Sequence, residues 1–315
     1  MLLLTYFLMN DNHASDAYAW SGILLRQAYA MRLHRNPDLV SPDASPVERQ
    51  VRRKVWQAVF FQDTFLTVLL KLPPTATHSD VQPDSLVDEE TLRAQGVNLD
   101  VNVNVNTNSR VENLMSISVI APPQDPTPSP QLAHFLVDPA VDKQDVEYIR
   151  SMWKLGNLVQ ESLSSPMSLA IPLAGSARQK ASVISTFRAL YRSFPSHLTL
   201  LDPQTIAAQA AVNPRAVRQN LFLNSNYHHC LMILQLSANE EAGVECNVRG
   251  TLEAAHEAIS AFFKLHRSFE SEAGVWWVFQ HRAFEEAVSP SFRDAEVPSC
   301  LNLSLIHISE PTRPY

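Results

Sequence analysis

The sequence predicts an all-α fold, an irregular multi-helix domain interrupted by a long low-complexity insertion. Two compositional facts point there. Glycine is scarce (7) while proline is plentiful (21), which suits helices punctuated by proline-rich loops better than a glycine-turned sheet. Apolar residues also recur at helical spacing through most long segments. With 315 residues and 45% hydrophobic content, the chain can bury one large core or two small ones.

Residues 2–9 are apolar and end at Asn10, which reads as a first helix. A second runs from about Ser15 to Leu33, where Tyr18, Gly22, Leu25 and Tyr29 recur at helical spacing and both faces read as largely buried. "NPDLVSPDASP" is a connector rich in Pro and Asp that stops it. Ser45 is a good N-cap with Pro46 at the first helical position, so a third long helix starts there and ends before Pro73 and Pro74. From about Val87 to Gln131, alternating Val and Asn give way to "APPQDPTPSPQ". Period 2 would suit an edge strand, but Asn-rich low complexity beside Pro-rich sequence favours a disordered insertion. Helical pattern resumes near Asp142, then over Ala177–Phe194, Pro214–Asn239, Arg249–Phe269 and Gly274–Ser289.

The stretch "ERQVRRKVWQAVFFQDTFL", residues 48–66, raises three readings: a helix that reads nucleic acid, a membrane-surface helix, or a core helix. Arg49, Arg52 and Arg53 share one side, but only at the start, and from about Val55 most of the circumference is apolar. A groove-reading helix needs basic residues along an exposed face, and a membrane-surface helix along a polar face. Burial from Val55 onward is therefore expected. Asp63 shares a row with Trp56 and Phe60. A buried carboxylate needs a partner, for which Arg26 and Arg32 are the candidates.

Other chemistry is thin. The formal charge of −7 and pI near 5.9 oppose autonomous binding to a phosphate backbone. Cys230, Cys246 and Cys300 are too few and too scattered for a disulfide framework or a four-ligand zinc site. The run His228-His229-Cys230 has no ligating partner one helical turn on, so it is not expected to hold a metal. Ser151 and Lys154 fit the S-x-x-K spacing of serine acyl-enzymes without that class's other motifs, and read as an ordinary helix face. Trp276, Trp277, Phe279 and Phe284 read as core before ligand cage. No apolar run approaches the roughly 18 to 20 residues that span a bilayer, and no catalytic set converges, so neither a membrane protein nor an enzyme is expected.

"AYAWSGILLRQAYAMRLHRNP" followed by "ERQVRRKVWQAVFFQDTFLTVLLKLPP" resembles the fungal-specific transcription factor domain, also called the middle homology or xylanolytic transcriptional activator regulatory domain. Its signature maps onto Leu33, His34 and Arg35, then Glu48, Arg52, Arg53 and Trp56, then Asp63 and the Pro73 turn. Gln57 stands where a second Trp is common, and "KLPP" replaces a Gly-Arg-Pro turn. "FRALYRSFPSHL", "YHHCLMILQ" and "GTLEAAHEAISAFFKLHRS" are similar to later parts of the family. The resemblance implies a nuclear regulator of transcription whose DNA contact comes from a binuclear zinc cluster of six cysteines. That cluster is expected in missing N-terminal sequence, so no cofactor and no DNA-binding residue is expected here. It further implies co-regulator proteins or a small-molecule effector, and a homodimer of the full-length protein. The competing reading is a stand-alone helical interaction or small-ligand-binding domain without DNA binding.

The expected organisation is therefore 1–86 as the N-terminal part of the regulatory domain, 87–131 as the insertion and 132–302 as the C-terminal helical part. Leu303–Arg313, "LSLIHISEPTR", resembles a translated sequencing-library adapter, so 303–315 is set apart from fold and function.

Overall fold

A computed structural model describes residues 1–76, 143–169, 171–200 and 202–288. The expected insertion at 87–131 and the adapter-like tail at 303–315 lie outside the described residues. Two units are distinguished, 1–86 with 147–315 and 87–146; of the second, only Lys143–Val146, the start of one helix, are described. The first unit carries everything below.

The described residues are all-α, without a sheet; one isolated bridge joins Asn239 and Val244. In chain order the helices are α1 (Leu2–Asn10), α2 (Ala14–Ala30), α3 (Pro37–Val40), α4 (Pro46–Leu70) and α5 (Lys143–Val159). A π-helical turn, Gln160–Ser164, leads from α5 into α6 (Ser165–Ser168). Then come α7 (Ala177–Arg192), α8 (Ser196–Thr199), α9 (Pro203–Val212), α10 (Pro214–Leu236), α11 (Val248–Ser268), α12 (Glu270–Ala273) and α13 (Trp277–Val288). None is long and apolar enough to cross a membrane.

Helix α4 starts and stops as its sequence dictates. Ser45 Oγ accepts from the Glu48 amide at 3.1 Å with Pro46 behind it. At the far end Lys71 adopts the left-handed conformation (φ 55°) and closes the last turn before the prolines. Continuous apolar burial begins at Trp56, Gln50 and Arg53 being buried before it, and Val55 itself is exposed. Helix α2 differs from expectation, because only the face of Ala17, Ser21, Leu25 and Ala28 is buried, whereas Trp20, Ile23 and Met31 are exposed. Helices α1 and α4 pack against α2 and leave Trp20 and Ile23 to solvent. The connector after α2 is also more ordered than its composition suggests. Asn36 caps α3, accepting from the Asp38 amide at 3.0 Å.

Three clusters make the core. The first joins Leu25, Ala28 and Leu33 to Trp56, Val59, Phe60, Ala76 and Trp153. A second spreads Phe65 and Val68 of α4 against Met152, Leu155 and Val159 of α5, and continues to Phe187, Leu223 and Tyr227. A third packs Ile206, Val217, Leu221, Ala261, Leu265 and Phe279. Helix α5 approaches α4 closely at Gly156, where a Cβ would lie 3.2 Å from the Phe61 ring. The most extensively packed pair, α10 and α11, forms the centre of the C-terminal half.

Candidate functional site

The residues singled out by sequence fall into two groups. His34 and Trp56 join a ring ladder in which Tyr29 meets His34 at 4.9 Å, His34 meets Trp56 at 5.9 Å, Trp56 meets Phe60 at 6.3 Å and Phe60 meets Trp153 at 5.1 Å. The ladder ties the end of α2 to α4 and α5. Arg35 is exposed and stays outside it. The arginines at the start of α4 hold the preceding connector. Arg49 donates to Ala44 O (3.0 Å) and Asp38 Oδ1 (3.0 Å), Arg53 to Asp38 Oδ2 (2.8 Å) and Asn36 Oδ1 (3.3 Å), and Arg52 to Met31 O (2.7 Å). Arg53 is itself buried.

Asp63 is 1% exposed, and among the described residues no arginine holds it. Its Oδ2 accepts from the amides of Thr75 (3.0 Å) and Ala76 (3.1 Å), so the carboxylate fastens the loop after Pro73. Arg26 and Arg32 are both exposed, so the expected arginine partnership is corrected to one with backbone. Amides can replace a guanidinium here because the loop folds back over the helix and brings two N–H groups to one oxygen. Burial raises the Asp63 pKa, opposed by those two amides and the Thr75 hydroxyl. Pro73 belongs to the same anchor, its carbonyl accepting from Tyr18 Oη at 2.8 Å.

The remaining candidates separate. His229 Nδ1 lies 3.0 Å from Glu286 Oε1, both side chains buried. His228 is half-buried with both ring nitrogens sealed and unpartnered, and burial lowers its pKa to about 4. Burial raises the Cys230 thiol to about 12. Among the described residues no three His, Cys, Asp or Glu side chains could share a metal ion. Ser151 Oγ donates to Glu147 O at 2.8 Å, along its own helix, while Lys154 is exposed. Of the late aromatics, Phe279 is core and stacks on Trp276 at 5.6 Å; Trp277 stacks on His281 at 4.7 Å, and Phe284 is exposed.

The feature that sequence reasoning missed is a cavity of about 580 Å³. Helix α1 contributes Tyr6, α4 contributes Phe61, Phe65 and Leu69, and α5 contributes Met152, while α10 and α13 complete the wall. Three polar side chains are sealed into that apolar lining: Gln57 (3% exposed), Gln62 (4%) and Arg282 (4%). Gln57 Oε1, both amide atoms of Gln62 and Arg282 Nε have no hydrogen-bond partner. Arg282 Nη1 donates to Asn226 Oδ1 at 2.6 Å. Burial lowers the Arg282 pKa, with Cys230, Glu286 and Glu285 opposing. The sequence carried one hint, glutamines at 57 and 62 on the apolar circumference of α4.

Comparison with known proteins adds the following. Residues 1–137 match the fungal specific transcription factor domain. Cutinase transcription factor 1 beta of Fusarium vanettenii is 24% identical over 102 residues, 29% of this chain and 11% of that protein. The Saccharomyces cerevisiae (strain ATCC 204508 / S288c) protein named "Putative transcriptional regulatory protein YJL206C" is 25% identical over 99 residues, 31% of this chain and 13% of that protein. The alignments thus span only a small part of each relative's length. No solved structure matches the chain.

Proposed function

We propose, from the premise that residues 1–137 match the fungal specific transcription factor domain, that this chain is the regulatory portion of a longer zinc-cluster transcription factor. Transcription regulation is the role that the domain and its relatives support, and a transcription factor domain is not an enzyme class. In the finer reading, DNA contact comes from a zinc cluster elsewhere in the protein, which works in the nucleus and pairs with a second copy or with co-regulators. The helices beyond 137 act with the matched segment. The observation carrying this reading is the shared core in which Trp153 of α5 packs with Trp56 and Phe60 of α4.

A reporter assay tests it. The 315-residue chain is fused to a heterologous DNA-binding module in a yeast reporter strain, with and without a strong activation segment. A several-fold change in output relative to the same fusion lacking the chain is expected. Unchanged output with the fusion present in the nucleus would overturn the regulatory reading.

A further inference from the structure

We infer that the cavity between α1, α4, α5, α10 and α13 is a binding site for a small organic acid with a mainly apolar body. The inference is independent of the transcription-factor reading. At about 580 Å³ the cavity lies within the range of small-molecule sites, roughly 300 to 1,000 Å³. Phe61, Phe65, Leu66, Leu69, Met152 and Phe279 give it walls suited to an aromatic or aliphatic body.

The head group is indicated by what remains unsatisfied. Buried donors and acceptors are nearly always paired, so several orphans carried by residues that line one cavity call for an occupant. Gln62 lines the cavity at 4% exposure with neither amide oxygen nor amide nitrogen bonded. From the α13 wall, Arg282 commits Nη1 to Asn226 and leaves Nε–H without an acceptor. Among the described residues the charged ones in the lining are Lys54 and Arg282, with no Asp or Glu. Of the two nearby carboxylates of α13, Glu286 is engaged by His229 and Glu285 by Lys71 at 3.7 Å. An acidic head accepting from Arg282 and Gln62 therefore matches the site in charge and in hydrogen bonding.

The test uses 8-anilinonaphthalene-1-sulfonate and its uncharged parent, N-phenyl-1-naphthylamine, titrated into the full chain by fluorescence and calorimetry. The expected result is one saturable site that binds the sulfonate about tenfold tighter than the parent and raises the melting temperature, as a ligand of the native state must. Gln62→Leu should cut the preference for the sulfonate several-fold and leave the affinity of the parent unchanged. Ala58→Trp, which places an indole in the cavity from α4, should abolish both in a chain that still melts cooperatively. Absent or non-saturating binding, equal affinity for the two probes, or a Gln62→Leu chain that keeps its preference for the sulfonate would overturn the inference.

Discussion

Arg53 donates to Asp38 Oδ2 at 2.8 Å from a position where its own side chain is only 8% exposed. Asp38 takes Arg49 on its other oxygen, so one carboxylate in a short helix bridges two arginines at the start of α4. Asp38 is half exposed, and solvent screening keeps such a pair modest. Asp38→Ala should lower unfolding free energy by about 1 to 2 kcal/mol, mostly because the buried Arg53 loses its anionic acceptor. Urea unfolding of Asp38→Ala, Arg53→Ala and the double variant measures the coupling, expected at about 1 kcal/mol.

Asp63 makes a sharper case. Asp63→Ala leaves the Thr75 and Ala76 amides without their acceptor, and should cost about 2 to 4 kcal/mol. Asp63→Asn keeps an acceptor oxygen and carries no charge to desolvate, so at pH 7 it should be at least as stable as the wild type. The pH dependence has a definite sign. The folded pKa lies above the usual 3.8, so the folded chain holds the proton longer than the unfolded one, and stability falls as pH rises from about 3.8 through the raised value. Above that window the penalty is constant. Melting curves of the wild type and Asp63→Asn between pH 3.5 and 7 should therefore converge toward low pH.

His228 acts in the opposite sense. Its folded pKa of about 4 lies below the usual 6.5, so the unfolded chain takes up the proton first as pH falls. Its contribution to stability is complete above pH 6.5 and drains away toward pH 4, by about 3 kcal/mol in total. His228→Phe removes two sealed, unpartnered ring nitrogens. That variant should be at least as stable as the wild type at pH 7 and should lose less stability on acidification. Thermal melts at pH 4.5 and 7 read the difference.

Lys180, in the first turn of α7, spends its ammonium on three carbonyls: Gln235 O at 2.9 Å, Ser237 O at 2.6 Å and Glu245 O at 2.8 Å. A buried cation at the C-terminal end of α10 satisfies carbonyls that the helix itself leaves open. Lys180→Met should cost about 2 to 4 kcal/mol. Lys180→Arg should fail to restore the loss, because a planar fork cannot reproduce the three directions of an ammonium. Guanidinium chloride unfolding of the three chains decides it.

The helices carrying explicit stop and start chemistry were legible in the sequence. Helix α4 was set by Ser45, Pro46 and the prolines after Lys71, and α10 by Pro214 with Asn213 accepting from the Ala216 amide. Helix α9 has the same kind of signal, Asp202 capping Thr205 before Pro203, but its run of Ala and Gln has no strong apolar period to draw the eye. The partners of Asp63 and Lys180 were not legible, since backbone amides and carbonyls carry no residue identity. The cavity was hidden for a related reason. Tyr6, Gln62 and Arg282 come from three helices far apart in the chain, and no periodicity within one helix reports on what another brings.

The peptide unit at Ala76 is clasped from both sides, its N–H by Asp63 and its C=O by Gln160 Nε2 at 2.8 Å from the π-helical turn. Phe65 and Val68 share one cluster with Leu155 and Val159, and Trp56 shares another with Trp153. Backbone cleavage between residues 77 and 142 would therefore yield two polypeptides, each completing the other's interior. Expressed as separate halves, they should reassemble, making this a natural place to split the molecule into a conditional pair.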